Sequence, residues 1–303
     1  MKKHTIIIAT LSALTAQIIF GFSFMFTKIA LGYSSPMTVI FDRYLVAFIA
    51  MTVVMVVTKQ KINIQKGMWK IVLMSFFQPT LYFLFETYGI KLTSSAFSSV
   101  MIALIPIASM VCGIFTLGEI PRPMQYVFSL LSISGVVVIT MSASSTGTVT
   151  PFGVVLLAGA VFSSCAFNIT SRKISGEFTV MQRTYATTVI GLISFALISF
   201  FENIGNPGAM FTSFAKPDFL WAIVYLGVAS SVGAFFFMNY ANTYLPVART
   251  TVFANITTVI SVAASAVFLK EPITPTMIVA TLVIIAGVTG VQIVGIRNSR
   301  ESK

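Results

Sequence analysis

Charge is what this sequence has least of: 9% of its 303 residues are Asp, Glu, Lys or Arg, against about 25% in an ordinary soluble chain. That little polar surface excludes a compact domain in water, because nothing would cover its apolar core. Histidine occurs once, at His4, which removes His-based triads and the H-E-x-x-H metal motif. The two cysteines, Cys112 and Cys165, lie inside apolar runs, so neither a disulfide framework nor a metal–thiolate site is expected, and both read as packing residues. The pattern G-x-x-x-x-G-K-[ST] that cradles nucleotide phosphates is missing, as is the G-x-S-x-G elbow of serine hydrolases. No cofactor, metal or catalytic residue is expected.

What the chain has is hydrophobic length. Apolar residues make up 56% of it, and its mean hydropathy is +0.94. Runs bounded by charges, Pro and Gly give ten candidate helices, at 5–31, 36–58, 69–91, 94–117, 121–143, 151–173, 178–200, 218–241, 246–269 and 274–296. A span needs about 20 apolar residues, so ten would use roughly 200 and leave only short connectors. The runs lack the alternation of a membrane barrel. The expected fold is an all-α integral membrane protein with ten transmembrane helices. Lys2 and Lys3 precede an apolar stretch reaching about Leu31, longer than the h-region of a signal peptide, which reads as a retained first helix.

The net charge of +11 reads as topology rather than as nucleic-acid binding. With the N-terminus inside, cytoplasmic ends collect Lys2, Lys3, Lys59, Lys61, Lys66, Lys70, Arg122, Arg172, Lys173, Arg183, Arg249, Arg297, Arg300 and Lys303, and outer connectors hold Lys91, Lys216 and Lys270. The positive-inside rule then puts both termini in the cytoplasm of a multi-pass cell-membrane protein.

Sliding the chain on itself shows an internal repeat. At an offset of 152, Trp69, Ile71 and Val72 fall on Trp221, Ile223 and Val224, and Phe83, Phe85 and Tyr88 fall on Phe235, Phe237 and Tyr240. Ala96/Ala248, Val100/Val252, Ser109/Ser261, Glu119/Glu271, Pro123/Pro275 and Gly135/Gly287 continue the same register. At an offset of 141, Thr38, Val39 and Tyr44 match Thr179, Val180 and Tyr185. Five helices repeat as five, and because five is odd the halves have opposite orientations in the membrane. The expected organisation is a first five-helix repeat at 1–143, a linker at 144–150 and a second repeat at 151–303.

Phe20-Gly21 and Lys28 late in the first helix, and Pro36 and Arg43 at the head of the second, resemble the drug/metabolite transporter superfamily, in particular its EamA-like branch. So do Leu117-Gly118-Glu119 and Leu269-Lys270-Glu271, each followed sixteen residues later by Gly-Val. The resemblance covers about 5–296. It departs from the family pattern at Phe20, where Trp is usual, and at Thr184, which matches Arg43 in the second half. It implies export of amino acids, other small metabolites or drugs.

Ionisable groups within hydrocarbon must face protein or water. Lys28, Asp42, Arg43 and Glu86 fall toward the outer parts of their helices, with Lys91 nearer the surface. Glu86 reads as a protonatable coupling or gating group, and Lys28 or Arg43 as attracting a carboxylate; the competing reading is a structural salt-bridge cluster joining the outer ends of the first three helices. Asp42 and Arg43, adjacent on a helix, cannot face the same way. A binding site is expected near the midplane between the halves, where Gln17, Ser23, Gln78, Ser163, Ser164, Asn168 and Asn255 are polar and Tyr82 and Tyr185 aromatic. Gln78-Pro79-Tyr82 is the preferred contact segment, since a Pro inside a span frees a backbone carbonyl; interhelical hydrogen bonding is the alternative for each polar residue. Dense phenylalanines, at Phe22, Phe24 and Phe26 and at Phe235, Phe236 and Phe237, read as lipid-facing or packing residues, with an aromatic-lined pore as the alternative. Arg183 and Arg249 are expected to anchor to lipid phosphate or close an inner gate, and Glu119 and Glu271 to cap or pair helices. Ala286-x-x-x-Gly290 is a spacing that suits close helix approach, and a homodimer contact is the expectation there.

Together these features point to a secondary active transporter that binds a small molecule and works by alternating access, with proton coupling through Glu86. A non-transporting scaffold or receptor is the alternative. An intramembrane enzyme is disfavoured, because Glu86 and Asp42 lack a catalytic companion.

Overall fold

The computed structural model describes residues 3–60, 66–117, 122–145, 149–205, 208–245, 250 and 253–301. Among the described residues the regular structure is helical throughout. The helices are α1 (Lys3–Leu31), α2 (Pro36–Val57), α3 (Met68–Ser75), α4 (Tyr82–Leu92), α5 (Ser95–Ile102), α6 (Ile105–Leu117), α7 (Pro123–Ser145), α8 (Pro151–Lys173), α9 (Val180–Glu202), the short α10 (Ala209–Thr212), α11 (Pro217–Val224), α12 (Phe235–Tyr244), α13 (Ala254–Phe268) and α14 (Pro275–Glu301). Wide π-type turns at Phe76–Leu81 and Tyr225–Ala234 join α3 to α4 and α11 to α12. Nine resulting segments among the described residues are long and apolar enough to cross a bilayer, and α13 is a shorter apolar helix. Part of the expected ninth span, together with Glu119 and Arg249, lies outside the described residues.

Helix starts follow local chemistry. Thr38 N donates to Ser35 Oγ at 3.4 Å, with Pro36 opening α2. Gly153 N donates to Thr150 Oγ1 at 3.1 Å, with Pro151 opening α8. Thr179 and Gln182 form a reciprocal capping box at the head of α9. Each side-chain oxygen satisfies an amide that has no intrahelical partner. The expected single span 94–117 is divided at Ala103–Leu104, because Pro106 carries no N–H and its ring would meet the carbonyl four residues earlier.

The two halves of the chain interdigitate: α1 packs on α13 and α12, α2 on α9, α4 on α8 and α7 on α14. Glycines permit two of these approaches. A Cβ on Gly21 of α1 would lie 2.7 Å from Ile260 Cβ of α13, and one on Gly287 of α14 would lie 2.6 Å from Phe128 O of α7. Gly290 is buried against the same Phe128, whereas Ala286 is exposed. Gly290 of that spacing therefore serves packing within the chain. Cys112 on α6 and Cys165 on α8 meet as free thiols.

Hydrogen bonds fix which element ends lie together. Ser213 Oγ donates to Tyr33 O at 2.9 Å, and Tyr33 Oη to Asp218 Oδ2 at 3.1 Å, so α11 begins beside the turn between α1 and α2. Helix α3 begins after the opposite end of α2, where Lys70 Nζ pairs with Glu177 at 2.6 Å. Trp69 and Trp221, 65% and 71% exposed, accordingly stand at opposite ends of the bundle, where amphipathic rings suit membrane interfaces.

Candidate functional site

Helix three breaks where its proline predicted. Gln78 leaves helical geometry (φ −149°, ψ 115°), with a cis peptide bond to Pro79. Past the break, α4 brings Tyr82, Phe83 and Glu86 to a central cavity of about 50 Å³. Gln17, Phe20, Ser23 and Phe24 of α1 and Arg43 of α2 complete its first-half wall. Ser164, Phe167 and Asn168 of α8, Phe235 and Met238 of α12, and Ala254 and Thr257 of α13 supply the second-half wall. The volume admits about three or four waters.

Of the residues expected at the site, Gln17, Ser23, Arg43, Gln78, Tyr82, Glu86, Ser164 and Asn168 meet here. Four others are engaged elsewhere. Ser163 Oγ donates to Gly159 O of its own helix at 2.8 Å. Asn255 Nδ2 donates to Thr289 Oγ1 of α14 at 3.0 Å, the Tyr185 ring lies 6.2 Å from that of Phe48, and Lys28 is held at the end of the bundle as described below. The aromatic wall of Phe20, Phe24, Phe83, Phe167 and Phe235 was not singled out as binding surface in the sequence; the Phe83/Phe235 match between the halves was its one available signal.

Arg43 is 3% exposed and carries three distinct contacts. Nε donates to Ser231 Oγ at 2.7 Å, Nη2 to Ser230 Oγ at 2.8 Å, and the guanidinium carbon sits 4.0 Å from the Phe83 ring centroid. Arg43 also lines the cavity. Tyr82 Oη donates to Glu86 Oε1 at 2.9 Å, while Glu86 Oε2 is buried with no partner among the described residues. The cavity thus brings a guanidinium and a carboxyl oxygen with unused hydrogen-bonding capacity together inside an apolar aromatic shell. Thr257 Oγ1 ties α13 to Gln17 Oε1 at 2.6 Å across the halves.

The expected salt-bridge cluster of Lys28, Asp42, Arg43 and Glu86 does not form. Among the described residues the one ion pair is Lys70–Glu177, because Lys28, Arg43 and Glu86 are each hydrogen-bonded to uncharged groups and Asp42 has no hydrogen-bond partner among the described residues. One turn beyond the cavity, Lys28 Nζ donates to Ile90 O at 3.0 Å and Thr93 O at 2.9 Å, the carbonyl end of α4. Glu271 accepts from Ser95 N at 3.0 Å and Ala96 N at 3.1 Å, the amide end of α5. Cation on carbonyls and anion on amides is the pairing favoured by helix dipoles. This clasp, with Glu271 supplied by the second half, closes one end of the cavity.

At the other end Asn242 Nδ2 donates to Asn168 Oδ1 at 3.0 Å. Beyond it lies Arg183, fully buried, donating to Ser171 O and Oγ, Asn239 O and Thr243 Oγ1. Exposed Arg172 donates to Asn242 O and Thr243 O. Two arginines thus converge on the carbonyl end of α12, whose partial negative charge is their counterion. Arg183 is therefore not a lipid anchor, because its guanidinium does not reach the surface.

The EamA-like transporter family matches this chain twice, over residues 7–141 and 151–292. The chain belongs to the EamA-like transporter family. It is 31% identical over 297 residues to an uncharacterized transporter, YcxC, of Bacillus subtilis (strain 168), spanning 97% of this chain and 95% of that one. A second uncharacterized transporter of that organism, YvbV, is 23% identical over 273 residues, 89% of this chain and 87% of the relative. One crystal structure superposes with a TM-score of 0.68 at 17% identity, covering 93% of this chain and 97% of the other; that likeness concerns the fold alone. With nine described segments able to span a bilayer, this EamA-family protein is a multi-pass membrane transporter within the drug/metabolite superfamily.

Proposed function

We propose that this EamA-family protein is a secondary transporter that exports a small zwitterionic metabolite, an amino acid or a related compound, across the cytoplasmic membrane by alternating access. The observation carrying this reading is the cavity shared by the two halves, lined by Arg43 and by Glu86, whose Oε2 stands without a partner among the described residues. A guanidinium suits a carboxylate and a carboxylate suits an ammonium. The aromatic shell excludes water, which strengthens both contacts. Both halves supply its walls, so movement of one half against the other would open the site and close it. The double family match and the placement of Trp69 and Trp221 at opposite ends support two inverted five-helix repeats, 1–143 and 151–303 joined by 144–150, with both termini cytoplasmic. Glu86 then accepts a proton when no ammonium occupies the site, which couples transport to the proton gradient.

Reconstituted protein loaded with a panel of labelled amino acids and small metabolites tests this by counterflow. Saturable exchange of one compound, lost in Gln78→Ala and weakened about tenfold in Arg43→Lys, is the expected result. Absence of exchange across the panel in folded protein would favour a scaffold or receptor role.

A further inference from the structure

Asp42 precedes Arg43 on α2 but does not line the cavity. It is 0% exposed, and neither carboxylate oxygen has a hydrogen-bond partner among the described residues. An ionised carboxylate in that setting is strongly disfavoured, whereas the neutral acid is tolerated.

No ion pair reaches it: among the described residues the one salt bridge joins Lys70 to Glu177. Helix α2 packs against α9, the Tyr225–Ala234 turns, α4, α11 and α1, and the titratable groups of each are occupied elsewhere. On α9, Arg183 lies more than four turns from the Ser199 level, Tyr185 is beside Phe48, and Glu202 accepts from Ser35. Tyr225 Oη donates to Ile19 O. On α4, Tyr82 and Glu86 bond each other, Tyr88 feels Glu202, and Lys91 is exposed. Asp218 on α11 accepts from Tyr33. Lys28 on α1 is held by carbonyls, and Arg43 itself is committed to Ser230, Ser231 and Phe83.

Position supplies the second argument. Thr38, one turn before Asp42 on the same helix face, bonds Ser199 of α9 at 3.1 Å, so this level of α2 lies on the seam between the halves. At the offset of 141 that aligns Thr38 with Thr179 and Tyr44 with Tyr185, Asp42 falls on Arg183. Both positions bury a charge-bearing side chain completely. The second half surrounds its arginine with carbonyls and hydroxyls; the first half gives its aspartate nothing. A charge kept for structure is solvated as Arg183 is.

We propose that Asp42 is a proton-binding site on the seam between the halves, neutral while the seam is closed and ionised when the seam parts and water reaches it. The step makes or breaks one Oδ–H bond, and the proton passes to or from water. Its use in coupling rests on the transporter reading above; its occupancy in the closed state does not.

Infrared spectroscopy of the full chain in lipid separates the two. The sequence contains only two aspartates, Asp42 and exposed Asp218, so [13C]aspartate labelling with Asp218→Asn isolates one carboxyl. The expected result near neutral pH is an isotope-shifted protonated-carboxyl band that disappears in Asp42→Asn and persists in Glu86→Gln. A labelled band only at the ionised-carboxylate position overturns the proposal, as does a protonated band that appears only on removing sodium, since a metal ion would then be the occupant. Because the labelled Asp42 chain is itself read, the test holds even where Asp42→Asn fails to fold. In liposomes, Asp42→Asn should retain counterflow but lose accumulation driven by a pH gradient; accumulation equal to that of the wild type overturns the coupling role.

Discussion

The guanidinium carbon of Arg43 sits over Phe83, 4.0 Å from the ring centroid, while two of its nitrogens are held by Ser230 and Ser231. One residue of the first half is thereby aimed by its own half's aromatic ring and by two hydroxyls of the second. Arg43→Lys keeps the charge but loses the planar fork. Counterflow should fall about tenfold, matching the roughly 1–2 kcal/mol of a desolvated cation–π contact; unchanged exchange would show that Arg43 does not meet substrate.

Glu86→Gln should leave a folded protein, because the amide can still accept from Tyr82. Its transport rate should lose dependence on pH, measured across a range in liposomes with equal pH on both sides. A profile parallel to that of the wild type would remove Glu86 from coupling.

Arg183→Met should lower stability by about 3 kcal/mol or more, since several charge-assisted bonds vanish and buried carbonyls lose their donors. Arg172→Met, at an exposed position, should shift the thermal midpoint much less. Equal shifts would contradict the buried-network account.

Glu271→Gln should loosen the clasp on α5. Hydrogen exchange at the Ser95 and Ala96 amides should accelerate about tenfold, corresponding to about 1.4 kcal/mol of lost local stability. Lys70→Ala removes an exposed pair, of a kind worth under about 1 kcal/mol, and should leave those amides unaffected.

Tyr33, in the turn after α1, has its hydroxyl pushed above the ordinary phenol range, first by the hydrogen bond to Asp218 and then by that carboxylate's charge. A raised folded value means that the contact contributes below the unfolded phenol's pKa and is lost as pH rises through the folded one. Ultraviolet titration of wild type against Tyr33→Phe should show a late-ionising tyrosine that Asp218→Asn returns to the ordinary range.

Much of the fold was legible because a span's length and its bounding Pro, Ser and Thr residues are local properties. Depth in the membrane was legible too, and it singled out Gln17, Ser23, Gln78, Tyr82, Glu86 and Asn168. Rotation about the helix axis was not. Asn255 shares the expected depth with Thr257 yet points to Thr289 of α14, while Thr257 bonds Gln17 at the cavity. The break at Gln78 announced itself through Pro79, but the widened turns at Tyr225–Ala234 contain no proline and left no trace in the sequence. Counter-charges also escaped. Opposite signs at one depth suggested ion pairing, whereas backbone carbonyls and amides, invisible to composition, are what hold Lys28 and Glu271.

An interior with room for about three or four waters is far too short to hold a continuous water file across some 30 Å of hydrocarbon. The cavity is thus a pocket rather than a pore, and its few waters form no conducting path from one face to the other.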